Sequence, residues 1–139
     1  MDIEFDLDRF VSAQDPVYSD VLAELRTGRK RSHWMWFVFP QMAGLGQSEM
    51  ARRYAIGSSD EAAAYLAHPV LGPRLRECAR LVALHPDMDI GAIFDSPDDR
   101  KFHSSMTLFN DIAPDEAVFQ TCLDQFFDGR PDPATMALL

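Results

Sequence analysis

Ser96-Pro97-Asp98-Asp99-Arg100-Lys101-Phe102-His103-Ser104-Ser105-Met106-Thr107-Leu108-Phe109 is the stretch on which the fold turns. Ser-Pro followed by two acids is a helix-opening signal. It offers a side-chain acceptor for free amides, a proline whose lost N–H is not missed, and carboxylates near the positive end of the helix dipole. Phe102, Met106, Phe109 and Ala113 then recur at steps of four, three and four, which puts them on one face of an α-helix but on both faces of a strand. The segment reads as an amphipathic helix.

The same grammar repeats outward from it. A short helix is expected over Leu7 to Ala13. Asp15-Pro16 predicts a second start, with Val17, Val21, Leu22 and Leu25 as its apolar stripe and Gly28 as its left-handed stop. A further helix is expected from near Ser48. Ser58-Ser59-Asp60-Glu61 has the form of a capping box before the helix-favouring Ala62 to Leu66. Gly72-Pro73 opens another, carrying Leu71, Leu75, Cys78, Ala79 and Val82. Pro114-Asp115-Glu116 opens one with Phe119, Cys122, Leu123 and Phe126 on one face, and Asp132-Pro133 opens a terminal turn. No Asn-Gly or Asp-Gly pair sits between alternating apolar runs; Asp128-Gly129 follows a helical pattern. The doubtful segment is Trp34 to Pro40, read as a buried helical turn or a short extended piece of core. The predicted fold is all-α: a compact single-domain bundle of about six to eight short helices over residues 1–139.

The totals agree with one packed domain. Of 139 residues, 47% are hydrophobic and 25% charged, an ordinary balance for a chain that buries about two-thirds of its unfolded surface. Cys78 and Cys122 fall at apolar positions of helical patterns and read as small buried hydrophobes. The N-terminus, Met1-Asp2-Ile3-Glu4-Phe5-Asp6, is acidic where a secretory signal would be basic and then apolar. The longest apolar run, Trp34 to Phe39, is far too short to span a bilayer. The expected location is the cytoplasm, with no membrane partner.

The net charge of −9 is unevenly spread. Residues 1–24 carry one arginine against seven acids, residues 25–80 nine cations against four acids, and residues 81–139 three cations against eleven acids. General nucleic-acid binding, which depends on neutralising many phosphates, is disfavoured. The basic middle either draws an anionic partner or pairs with the acidic flanks.

Few residues carry an obvious chemical signature. His33, His68, His85 and His103 lie too far apart in sequence for the spacing that sets two metal ligands on one helical face. His68-Pro69 and His85-Pro86 read as helix ends where imidazole meets free carbonyls. Ser104-Ser105 lack a nucleophile-elbow context and read as small polar residues facing a neighbouring helix. Adjacent in one turn, Asp98 and Asp99 point in different directions and read as dipole partners.

Arg29-Lys30-Arg31-Ser32-His33-Trp34-Met35-Trp36, continuing through Pro40-Gln41 to Gly44-Leu45-Gly46-Gln47-Ser48, admits three readings. The cations form a solvated cluster and the aromatics anchor the core. Alternatively, Gly44 and Gly46 free the backbone before a helix at Ser48, whose amides, with Arg52 and Arg53, would receive an anion. In the third reading Trp34 or Trp36 stacks on a base or sugar in the same pocket, with His33 as acid or base. Two glycines without a third and without a preceding strand make neither a dinucleotide fingerprint nor a P-loop.

Lys30 to Gln41, His68-Pro69-Val70-Leu71-Gly72-Pro73-Arg74-Leu75, and Ser96-Pro97-Asp98-Asp99 with Ser104-Ser105-Met106-Thr107-Leu108-Phe109 together resemble the bacterial family catalogued as domain of unknown function 1810. The resemblance runs from Phe5 to the C-terminus, with Arg100 and Phe102 standing where an aliphatic residue and a leucine are expected. It implies a compact all-helical domain and brings no activity, cofactor or catalytic residue. Members are sometimes labelled calpastatin, a name suited to a long disordered repeated chain; 11% aromatic residues and capped helices speak against it here.

Two functional expectations follow. One is a small-ligand protein, enzyme or sensor, that recognises an anionic, nucleotide-like molecule without a cofactor. Its site would comprise Arg29, Lys30, Arg31, Trp34, Trp36, Gln41, Gly44, Gly46, Ser48, Arg52 and Arg53, with His33 as the proton-transfer candidate. The other is an interaction module that docks an acidic partner on the basic middle without chemistry.

Overall fold

The computed structural model describes residues 5–139, and the Met1–Glu4 part of the acidic N-terminus read above lies outside them. In chain order the helices are α1 (Asp8–Gln14), α2 (Tyr18–Thr27), α3 (Met35–Val38), α4 (Glu49–Arg53), α5 (Ser59–Ala67), α6 (Leu71–Ala83), α7 (Ile90–Phe94), α8 (Asp98–Ile112), α9 (Ala117–Phe127) and α10 (Pro133–Met136). The all-α expectation holds: among the described residues six helices have seven residues or more, and four are single turns. The one β-type contact among the described residues is an isolated parallel bridge between Met42 and Ile56, which ties the loop after α3 to the loop after α4. No helix among the described residues is long and apolar enough to cross a membrane.

The helix read first lies at the centre. α8 packs against α5, α7, α9 and α10, while α6 lies against α2, α5 and α9. The spacing puts one apolar face on α8, yet the six consecutive residues Ser104 to Phe109 are all buried, because neighbours cover it on several sides. Around its N-terminal half the rings interlock: Phe102 lies 5.0 Å from Phe39 and 4.9 Å from Phe94, and Trp34 reaches both Phe39 and Phe94. The doubtful Trp34–Phe39 segment is thus a buried helical turn, fixed by aromatic burial rather than by helix propensity.

Several starts follow the sequence. Ser48 and Ser58 cap α4 and α5 by accepting the N–H of Ala51 and Glu61, and Asp132 caps α10 ahead of Pro133. Glu61 closes most of a capping box, though its carboxylate accepts from Gly57 rather than from the cap residue itself. Gly28 ends α2 with φ 78°.

Other starts move. Asp15 closes α1, donating its N–H to Val11, and its carboxylate pairs with Arg74 at 2.9 Å; α2 therefore begins only after Val17, with no side-chain cap. Two residues ahead of Pro73, α6 starts at Leu71, because His68 Nδ1 accepts the N–H groups of Val70 and Leu71. His68 thus caps amides rather than meeting carbonyls, the reverse of the expectation. His85 does meet one, its Nε2 lying 2.8 Å from the Leu25 carbonyl near the end of α2. Glu116 leaves the α9 start uncapped because its carboxylate is committed to Arg76, with Arg76 Nη2 donating across 3.0 Å. Cys78 and Cys122 are free and buried, as read.

Candidate functional site

The residues singled out in the sequence separate in space. Trp34 is buried, and its Nε1 donates to the Glu24 carboxylate at 3.1 Å. Glu24 also accepts from the backbone N–H groups of Arg31 and Ser32 and from the Ser32 hydroxyl. Burial alone would raise its pKa, but these donors together hold the carboxyl below its ordinary value. The turn from Arg31 to Trp34 is therefore wrapped around one anion of α2, which is structural work. Lys30 is likewise internal: its ammonium lies 2.8 Å from Asp98 and 5.2 Å from the Trp34 ring centre.

Of the other cations of the basic middle, Arg74 and Arg76 are half-buried and paired with Asp15 and Glu116 of the acidic flanks, whereas the arginines singled out beside Lys30 and Ser48 stay at the surface. Arg29 is exposed and only 3.9 Å from the equally exposed Asp95. Arg31, Arg52, Arg53 and His33 are exposed, and the Arg53 guanidinium sits over the Tyr54 ring at 5.6 Å. Ser48 spends its side-chain oxygen on the α4 cap, and α4 is one turn long. Gly46 is where the chain passes hard against α4, since a Cβ there would overlap that of Ala51. Gly44 has φ +102° and lies beside Leu138. These two glycines serve loop geometry and close packing.

Two of the expected residues, Gln41 and Gly46, do face a common hollow. It has a volume of about 320 Å³. One wall is the loop with Gln41, Leu45 and Gly46; a second is the start of α8, with Pro97, Arg100, Lys101 and Ser104; a third is the start of α10, with Asp132 and Ala134. Arg29, Lys30, Arg31, Arg52, Arg53, Trp34 and His33 are not part of this lining. Trp36 is not in the lining either; half-buried, it lies under the Lys101 ammonium, 5.2 Å from its ring centre. A smaller hollow of about 170 Å³ lies across the Gly129–Pro131 segment, with Thr107, Asn110 and Gln120 in its walls and no cation.

The electrostatics of the larger hollow are mixed. Lys101 is partly engaged by Asp98 at 3.4 Å, whereas Arg100 makes no ion pair among the described residues. Two first-turn amides of α8 are spent locally, the Asp99 N–H donating to the Asp95 carbonyl and the Arg100 N–H to that of Pro97. The positive charge on this wall is carried mainly by the Arg100 and Lys101 side chains. Asp132 accepts from Ser104 Oγ at 3.0 Å and from Thr135 Oγ1 at 2.6 Å. Burial would raise its pKa; the Thr135 and Ser104 hydrogen bonds and nearby His103 outweigh this and set it below the ordinary range. Ser104 faces the α10 cap as a small polar residue should. Among the described residues no three His, Cys, Asp or Glu side chains stand close enough to hold a metal ion.

Arg100, Lys101, Ser104 and Asp132 are not in the site expected from the sequence, where Ser104 reads as a helix-facing polar residue and Asp132 as a helix start. The available signal was that Arg100 and Lys101 are, with Arg130, the three cations in the acid-rich last third of the chain.

Comparison with known proteins agrees with the helical architecture. The chain superposes on the crystal structure of the conserved hypothetical protein Rv1873 from Mycobacterium tuberculosis with a TM-score of 0.95 and 54% identity, covering 97% of this chain and 96% of that one. No curated protein sequence matches it. Residues 4–139 match the family model described as a protein of unknown function, DUF1810, and the chain belongs to that family.

Proposed function

We propose that this chain is a small-ligand-binding protein and that its ligand is an anionic, nucleotide-like molecule held in the hollow between the Gln41–Gly46 loop, α8 and α10. The observation that carries the reading is Arg100 beside Lys101 on one wall of that hollow. A volume of about 320 Å³ falls at the small end of ligand sites, which pair apolar walls with a few convergent polar groups. Leu45, Pro97 and Ala134 supply apolar wall here. Arg100 supplies a fork suited to phosphate or carboxylate, and the Lys101 ammonium, which lies over the Trp36 ring, adds a second cation. His33, the proton-transfer candidate, does not line the hollow, so the reading is one of binding rather than catalysis.

The test is a thermal-shift panel of inorganic phosphate, nucleoside monophosphates and small carboxylates at low salt. A bound compound at one hundred times its Kd stabilises the fold by about 2.7 kcal/mol. Arg100→Ala abolishes that shift and Arg53→Ala leaves it. A panel in which nothing raises the melting temperature counts against the proposal.

A second reading has its own support. The outward spread of Arg29, Arg31, Arg52 and Arg53 suits docking of an acidic protein surface. In that case Arg52→Glu with Arg53→Glu abolishes association with an acidic partner while Arg100→Ala is silent.

A further inference from the structure

The hollow carries a fixed acceptor as well as its cations. All the hydrogen bonds that Asp132 accepts fall on a single oxygen: Oδ2 takes Ser104 Oγ at 3.0 Å, the Thr135 N–H at 3.2 Å and Thr135 Oγ1 at 2.6 Å. Oδ1 accepts nothing among the described residues, although Asp132 is part of the lining. The residue is also pinned from behind, because its own N–H donates to Thr107 Oγ1 of α8 at 2.9 Å. A carboxylate held on both sides, with one oxygen idle, is preorganised to receive a donor.

The neighbouring charges leave that oxygen available. His103 turns its Nε2 to the Arg130 carbonyl at 2.8 Å and stacks on Phe127 at 3.9 Å. Asp98 is bound by Lys30 and Lys101. A ligand with negative charge alone is drawn by Arg100 and Lys101 but loses part of that attraction to repulsion by the Asp132 carboxylate. One that adds an ammonium group converts the repulsion into a charge-assisted hydrogen bond.

The geometry points to a zwitterionic ligand, an aminoalkyl phosphate or amino acid, whose anionic group meets Arg100 and Lys101 and whose ammonium donates to Asp132 Oδ1. This assignment rests on the anion-binding reading of the same hollow.

A matched pair of probes separates the two. O-phosphoethanolamine and ethyl phosphate differ by one ammonium group, and both are titrated into the full-length protein at low salt, followed by amide shifts of the hollow. Phosphoethanolamine binds at least about tenfold tighter, the effect of one good charged hydrogen bond. Asp132→Asn retains an acceptor for the α10 cap and brings the ratio towards one. Arg100→Gln weakens both probes alike. If the wild-type protein binds both equally, the zwitterion assignment is overturned and the anion reading stands. If neither probe shifts the hollow, both fall. The wild-type ratio decides the matter even where a variant fails to fold.

Discussion

The Lys30 ammonium lies 2.8 Å from Asp98 Oδ2, with side-chain exposures of 9% and 19%, so the segment after α2 is fastened to the first turn of α8 by a nearly buried ion pair. Removing one member of such a pair strands the other. Lys30→Met preserves the packing stem, and its expected cost is about 2 kcal/mol in urea unfolding, below the ~3–5 typical of a fully buried pair because Lys101 still neutralises Asp98. Adding Asp98→Asn recovers part of the loss. Equal and additive losses would mean that the pair is not coupled.

Glu24 sets an acid limit on the same region. Its folded pKa is depressed, so the stability it contributes is complete above its unfolded value of about 4.3 and is lost as pH falls through the folded one. Glu24→Gln lowers stability at neutral pH by about 2 kcal/mol, since four donors lose a charged acceptor. The gap between wild type and variant stays level down to about pH 4 and closes below it. Melting temperatures across that range read the gap, and one that stayed constant into strong acid would refute the assignment.

The thiols are expected to be silent. Burial pushes both Cys78 and Cys122 up to about 12, and each is fully covered. Neither reacts with a disulfide reagent at about pH 8 in the native state, and both react once the chain is denatured. Native-state reactivity at either position would show an opening that the packing does not provide.

Two helical glycines are expected to respond oppositely to alanine. At Gly72 a Cβ would overlap the Leu66 carbonyl, a backbone atom that cannot step aside, and Gly72→Ala costs at least about 2 kcal/mol. At Gly91, in α7, nothing lies within 4 Å of the new carbon, and Gly91→Ala gains about 0.5–1 kcal/mol from helix propensity and reduced unfolded-state freedom. Denaturant midpoints of the two variants on opposite sides of wild type are the expected outcome.

The helices were legible because their periodicity and punctuation are local. Val21, Leu25, Met106, Phe109, Phe119 and Cys122 are buried where the spacing put them. The α6 start moved locally, His68 taking the amides of Val70 and Leu71, but the other starts that moved did so through distant partners, Asp15 going to Arg74 and Glu116 to Arg76. The site was less legible for the same reason. Lys30 and Trp34 read as ligand groups, but Asp98 and Glu24 claim them, and neither claim is visible in a local window. Arg100 read as a departure from a family pattern, while the hollow it lines is assembled from three segments far apart in the chain.

The attachment of α10 has a further consequence. Thr135 is its one buried residue, while Met136, Leu138 and Leu139 remain more than a third exposed, so the Asp132 cap rather than apolar burial retains this turn. Segments held so thinly fray at free energies far below that of global unfolding. The wall of the hollow at Ala134 is therefore the one that opens most readily, without motion of the aromatic core.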